Sequence, residues 1–431
     1  MNKKTLELPD FFIAGTLFLF TVWEALSGFI LHFDVAARIP HILLYVSLVT
    51  ALLFCNGLQM LKKNMLPLGM WLLWAAYSVI NVCTKSDSVI GFDSIPYFIW
   101  LFAAKGIYML LILLMLKRHE RFTMGFLSGA LLLTAGLFMF FGKEEAFGDE
   151  EHMRLFAEGV INPNAVAFSC VVLLILAIYW LLGIPRRIFP GVLCSIVTAA
   201  VIVMTVSRTA AASAVAVLLI AIFIWLRSKK LPMFKIICLT VLITAISWLL
   251  LSCIKPVQES AIMYRFNVRT YEIEQFELEN NLLTRIMGER SVYYYEGMEL
   301  FRINPLTGIG MNNYIIYSSY DLRCHVEYIA QLVEGGIIGA ALYCCWLLTL
   351  LLPMHFRNVT TQSQLLYYCS AAALLLYGVG AYTSMKDSFY ILCALVLYSK
   401  LKPEEVPPEK DTAAGAVQIN DDNLKDDFQC V

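Results

Sequence analysis

Apolar residues run through this chain in long blocks separated by short polar breaks. The blocks fall at about 11–30, 39–60, 66–82, 96–116, 122–141 and 163–182. They continue at about 189–206, 209–226, 235–253, 325–352, 364–381 and 387–400. Most approach the roughly 20 residues that a helix needs to cross a bilayer. The alternation of a membrane β-barrel is absent, and an isolated strand cannot satisfy its backbone in lipid. The pattern predicts an all-α integral membrane protein of about twelve transmembrane helices of this length.

Positive residues test that count, because cytoplasmic loops collect Lys and Arg. With the N-terminus inside, the cytoplasmic set is Lys3, Lys4, Lys62, Lys63, Lys117, Arg118, Arg121, Arg186, Arg187, Arg227, Lys229, Lys230, Lys235, Arg357, Lys400 and Lys402. The short outer loops hold only Arg38, Lys85, Lys143, Arg154, Arg208 and Lys386. The bias repeats loop after loop and predicts N-in, C-in. The first block imitates a signal peptide, with Ala25-Leu26-Ser27 as a weak cleavage site. It exceeds the usual h-region, so it is read as a helix.

Two connections are long, and both are predicted outside. The first, about 142–161, is acidic: Glu144, Glu145, Asp149, Glu150, Glu151 and Glu158 stand against Lys143 and Arg154. The second, 254–324, precedes the third-last helix. Its Tyr264, Phe266, Tyr271, Phe276, Tyr293, Tyr294, Tyr295 and Phe301 favour a folded cap over a linker. A helical piece is expected over Glu289–Phe301, with turns at Asn304-Pro305 and Gly308-Ile309-Gly310. Residues 1–401 are thus read as one polytopic membrane domain and 402–431 as a solvated, acidic cytoplasmic tail.

Composition agrees. The chain is 59% apolar and 15% charged, against about 45–50% and 25% in soluble domains. That excludes a soluble enzyme, a disordered chain and a disulfide scaffold. The net charge of −1 points to no nucleic-acid partner, and it is a cancellation. The tail has eight acids against three lysines and the first outer loop six acids against two bases, while the membrane frame is basic. Of twelve cysteines, most lie inside apolar blocks. Cys253 and Cys324 bracket the large outer loop at similar depth and are a candidate disulfide.

No phosphate-binding loop, GxGxxG, HExxH or GxSxG occurs, and there is no DxD or Cys/His set to hold a metal. No cofactor is expected. Polar residues of interest gather instead at the predicted outer face, in four places. Asn162-Pro163-Asn164 opens a helix; its plain reading is an N-cap followed by proline at the first helical position. Ser207-Arg208-Thr209 sits in a tight turn. There Arg208 either snorkels to head groups or clamps a phosphate with its planar fork. Arg290 with Tyr293, Tyr294 and Gly297 belongs either to a surface amphipathic helix or to a site, and is followed by Asn304-Pro305-Leu306-Thr307-Gly308-Ile309-Gly310. His325 precedes Glu327, Gln331, Glu334 and Gly335-Gly336-Ile337-Ile338-Gly339. It is either a polar anchor or a base that takes a proton from a hydroxyl. Helical periodicity puts His325, Leu332, Gly336 and Gly339 on one face, and Gly335 and Gly339 form a GxxxG pair. Glu24 and Lys105 are charges inside apolar blocks at comparable depth. They are expected to pair and to lock the first and fourth helices.

Together and in this order, these four motifs resemble the bacterial O-antigen ligase and O-antigen polymerase family of membrane glycosyltransferases, with a GT-C-like fold. The motif-bearing part is about 160–340. Val326 stands where the family often has Asn or Ser after the histidine. The resemblance implies metal-independent glycosyl transfer on the outer face of the bacterial cytoplasmic membrane, in surface polysaccharide biosynthesis. The donor would be a glycan on undecaprenyl pyrophosphate and the acceptor a glycan, lipid or protein. Carried over by motif, Arg208 and Arg290 would bind the pyrophosphate and His325 would be the general base. Asn162, Asn164, Ser207, Tyr294 and Glu334 would support the substrate cleft. The competing class is a polytopic transporter or flippase for a polysaccharide precursor, which Glu24 and Lys105 favour.

Overall fold

The computed structural model describes residues 5–27, 29, 38–55, 57, 59, 62, 64–85, 95–147, 149–156, 163–183 and 188–229. It further describes 232, 235, 242, 290–319, 324–352, 360–384 and 386–401. Most of the expected helix 235–253, Cys253, the loop from 254 to 289, Asn162 and the tail after Leu401 lie outside the described residues.

The helices are α1 (Leu8–Leu26), α2 (Arg38–Phe54), α3 (Met65–Thr84), α4 (Ile95–Phe141), α5 (Pro163–Gly183) and α6 (Ile188–Thr205). They continue as α7 (Arg208–Ser228), α8 (Ser291–Ile303), α9 (Tyr314–Tyr317), α10 (Glu327–Leu351), α11 (Thr361–Gly380) and α12 (Asp387–Leu401). Among the described residues, seven helices are long and apolar enough to cross a membrane: α1, α3, α4, α5, α6, α7 and α10. α2 and α12 fall short of that length at 17 and 15 residues. Helices occupy the expected apolar blocks other than 235–253.

Apolar patterning explains the arrangement. α5 and α12 are apolar on every side and are buried on every side, as in Leu173 and Ile391 at 0% exposure. They form the centre of the bundle. α2, α3 and α6 instead present Leu53, Ile80 and Phe189 outward, each more than half exposed. Such a surface suits lipid and would aggregate in water.

α4 keeps the expected division between the blocks 96–116 and 122–141, at residue 119. Its 47 residues cover two predicted spans and are interrupted by non-helical His119, φ −142°, ψ 62°. The break has a cause. Buried Asp10 of α1 accepts from Arg118 Nε at 2.8 Å and Nη2 at 3.1 Å, and it also meets His119 Nε2 at 2.9 Å. Two consecutive side chains of α4 thus converge on one carboxylate.

The acidic connection also departs from expectation. Among the described residues it is the exception to an otherwise helical fold, forming an antiparallel hairpin of β1 (Lys143–Phe147) and β2 (Asp149–Phe156). Register places Glu145 opposite Arg154.

α10 is broken at Gly336, φ 65°, ψ −169°, so the predicted single face from His325 to Gly339 does not form. The break releases main-chain groups that the helix would otherwise satisfy internally. The 305–310 segment takes them up. Ile309 N donates to Val333 O (3.0 Å) and Gly310 N to Glu334 O (3.0 Å). In return, Ile337 N donates to Pro305 O (2.9 Å) and Ile338 N to Leu306 O (3.2 Å). The two backbones come so close that a Cβ on Gly308 would overlap Glu334 O, and one on Gly336 would overlap Leu306 O. The two glycine-rich motifs are therefore halves of one clip.

Candidate active site

The site is built where several helices begin. An α-helix leaves its first amide N–H groups unpaired and carries partial positive charge at that end. α5, α7, α8 and α10 begin at Pro163, Arg208, Ser291 and Glu327. Direct contacts tie these starts together.

The turn before α7 is set by Val206, whose φ of 50° is left-handed. That conformation costs a β-branched residue energy and persists only where the surroundings impose it. Val206 is buried, as is Ser207. Ser207 caps α7 by accepting from Ala210 N, and its Oγ donates to Asn164 Oδ1 at 3.0 Å. Tyr377 OH of α11 donates to the main-chain oxygen of Asn164. Arg208 is the first residue of α7, so its cation and the helix N-terminus add at one place, a combination that favours an anion.

Arg290 is the N-cap residue of α8, and its Nη1 donates to Thr209 Oγ1. The large loop thereby brings the second arginine to the residue next to Arg208. Tyr294, one turn into α8, is half-buried, and burial pushes its phenol above the ordinary value.

His325 precedes α10 instead of opening it, since the N-cap is Val326 in extended backbone. Successive side chains of an extended segment point opposite ways. Cys324 and Val326 are buried while His325 is exposed. Its ring stands edge-on to Tyr293, with centroids 5.8 Å apart and an interplanar angle of 86°. Tyr293 lies one turn from Arg290, so His325 and Arg290 border the same turn of α8. Burial pushes the Cys324 thiol well up.

Glu334 lies behind this rim. It is buried, and its Oε1 accepts from Tyr314 N at 3.3 Å. Its role is to hold the 310–314 turn. Glu296 of α8 fixes the same region, accepting from Tyr314 OH at 3.1 Å and Ser318 Oγ at 2.9 Å.

The expected Glu24–Lys105 pair is corrected. Lys105 pairs with Asp387 at the start of α12. Thr21 Oγ1 and Tyr108 OH are 2.6 Å apart, which places Glu24 and Lys105 level, each one turn toward the same end. Glu24 lines a cavity together with Lys386, Asp387, Ser169 and Ser388, and Asp387 is the carboxylate that meets the lysine.

Tyr77, Asn81 and Lys85 of the α3 end, absent from the four motifs, also hold the clip region. Asn81 Nδ2 donates to Thr307 O (2.6 Å) and its Oδ1 accepts from Met311 N (2.9 Å). Tyr77 OH donates to Gly335 O (2.7 Å), and Lys85 Nζ to Thr307 Oγ1 (3.2 Å). The signal was present: polar residues four apart along the end of an apolar helix share one face. Among the described residues, no group of three or more His, Cys, Asp or Glu side chains is placed to hold a metal ion.

Residues 193–344 match the family model described as O-antigen ligase. No curated protein matches the chain. The matched stretch contains Ser207, Arg208, Arg290, Tyr294, His325 and Glu334, and it ends beyond the Gly336 break.

Proposed function

We propose that this chain, which carries the O-antigen ligase family domain at residues 193–344, is a multi-pass membrane glycosyltransferase. It polymerises or ligates glycan from an undecaprenyl-pyrophosphate-linked donor on the outer face of the bacterial cytoplasmic membrane. The observation that carries this reading is the contact between Arg290 and Thr209, which joins two arginine motifs 82 positions apart in the sequence at the N-terminus of α7.

A lipid pyrophosphate is already an activated leaving group. The reaction needs positive charge where the pyrophosphate departs and a base on the acceptor hydroxyl. Arg208 and Arg290 would bind the pyrophosphate and stabilise the charge that develops on it, commonly the largest catalytic contribution. The N–H groups at the start of α7 would add to that field. With two guanidinium groups in this role, the proposed chemistry calls on no metal. His325 would accept the acceptor's hydroxyl proton as the new glycosidic bond forms; its exposure and its place beside α8 suit that role. Asn164 and Ser207 would hold the Arg208 turn, with Asn162 beside them in sequence. Tyr294 would border the cleft, and Glu334 would brace it from behind.

The test uses cells in which the protein makes surface glycan. His325→Ala, Arg208→Ala or Arg290→Ala should abolish glycan extension or transfer at unchanged protein level. Full activity of the His325 variant would sink the base assignment. In a deletion strain, single repeats on their acceptor would indicate a polymerase, and full-length unattached chains a ligase.

A further inference from the structure

The Arg290 guanidinium is held from a side that none of the sequence motifs supplies. α11 ends at Gly380, and a Cβ there would overlap both Arg290 Nη1 and Thr209 Oγ1. The guanidinium therefore occupies the space that any other residue at 380 would fill. Immediately after Gly380 the chain turns toward α12, and that turn is gripped by Glu327, the first residue of α10. Glu327 is fully buried. Its Oε2 accepts from Thr383 N at 2.6 Å, Ser384 N at 2.9 Å and Thr383 Oγ1 at 3.4 Å. Its Oε1 accepts from Gln331 Nε2 at 3.0 Å, and Gln331 Oε1 accepts from Trp74 Nε1 at 2.9 Å. A buried carboxylate without such donors would be strongly disfavoured. The donors and the carboxylate therefore fix one another, and with them the path of the backbone leaving Gly380.

We propose that Gly380 and Glu327 are positioning residues for Arg290: Gly380 forms the slot for its guanidinium, and Glu327 anchors the turn that sets where the slot lies. The proposal rests on the reading of Arg290 as a pyrophosphate ligand. It adds two residues, one of them outside the family match at 193–344, that act on the ligand without touching it. The atoms a Gly380 side chain would meet are the ends of other side chains. An alanine there displaces both the guanidinium and the γ atoms of Thr209, and with them the contact between the two.

The test measures binding of farnesyl pyrophosphate, a short prenyl pyrophosphate, to the purified full-length protein in detergent. Arg290→Lys, Gly380→Ala and Glu327→Gln should each weaken binding about tenfold or more, the loss expected when one charge-assisted hydrogen bond is misplaced. In the Arg290→Lys background, Gly380→Ala and Glu327→Gln should add little, because they act through the missing fork. A merely structural role would move the thermal midpoint and leave the losses multiplying in the double variants. Wild-type affinity in both positioning variants, or multiplying losses, would overturn the proposal and leave the pyrophosphate reading standing. If the probe does not bind the wild type, or binds Arg290→Lys equally well, that reading itself falls and the positioning role falls with it. Should Gly380→Ala lower the thermal midpoint, Glu327→Gln, of equal size, carries the same test.

Discussion

Replacing Gly336 with alanine should open the clip on which the candidate site is mounted. Gly336 lies at φ 65°, ψ −169°, a region essentially reserved for glycine. Holding another residue there costs of order 1–3 kcal/mol. The new Cβ would also overlap Leu306 O, so the 305–310 segment must draw back. Four main-chain hydrogen bonds join the two segments, each worth about 0.5–1.5 kcal/mol net. Whether the chain keeps the strain or parts the segments, the local cost is about 2–4 kcal/mol. Hydrogen exchange of the detergent-solubilised protein reads this directly at the amides of Ile309, Gly310, Ile337 and Ile338. Their protection should fall about thirtyfold or more. Gly15→Ala is the control, since a Cβ there meets nothing within 4 Å. Unchanged protection at those four amides in Gly336→Ala would refute the clip as the element that holds the site.

Lys105→Met should destabilise the protein by roughly 3 kcal/mol, because it strands the Asp387 carboxylate in the bundle. The double replacement Lys105→Met, Asp387→Leu should recover most of the loss in thermal midpoint; a double equal to the sum of the singles would mean that the two residues do not act as a pair. Cys324 is buried and its thiol is pushed up by that burial, so a hydrophilic maleimide should label exposed Cys83 and spare Cys324 until the protein is denatured. Rapid labelling of Cys324 in the folded protein would contradict its burial.

Local features were legible in the sequence, and distant partnerships were not. The expected helix at Glu289–Phe301 forms as Ser291–Ile303, and the turn signals at Asn304-Pro305 and Gly308-Ile309-Gly310 end it. Both follow from nearby chain chemistry. The apolar blocks were legible because lipid and a bundle core both require apolar faces. The break at Gly336 was hidden because its cause lies in another segment. Periodicity alone gives Gly335-Gly336-Ile337-Ile338-Gly339 an unbroken face, and the competing hydrogen bonds come from residues 305–310. The partner of Lys105 was hidden for the same reason, since Asp387 is 282 positions away. The hairpin in the acidic outer connection was hidden because a run of like charges carries no signal of strand register. At the candidate site, the residue types were visible as Arg208, Arg290 and His325. What joins them is nonlocal: the Arg290–Thr209 bond and the ring contact of His325 with Tyr293.

The proposed chemistry is the formation of glycosidic bonds from a lipid-pyrophosphate donor. The most direct measurement reconstitutes the purified protein in liposomes with undecaprenyl-pyrophosphate-linked glycan and acceptor, and follows both products. Extended or transferred glycan should appear together with released undecaprenyl pyrophosphate, with neither formed by Arg290→Ala or His325→Ala. Movement of intact donor across the bilayer without any new glycosidic bond would contradict this chemistry and favour a transporter.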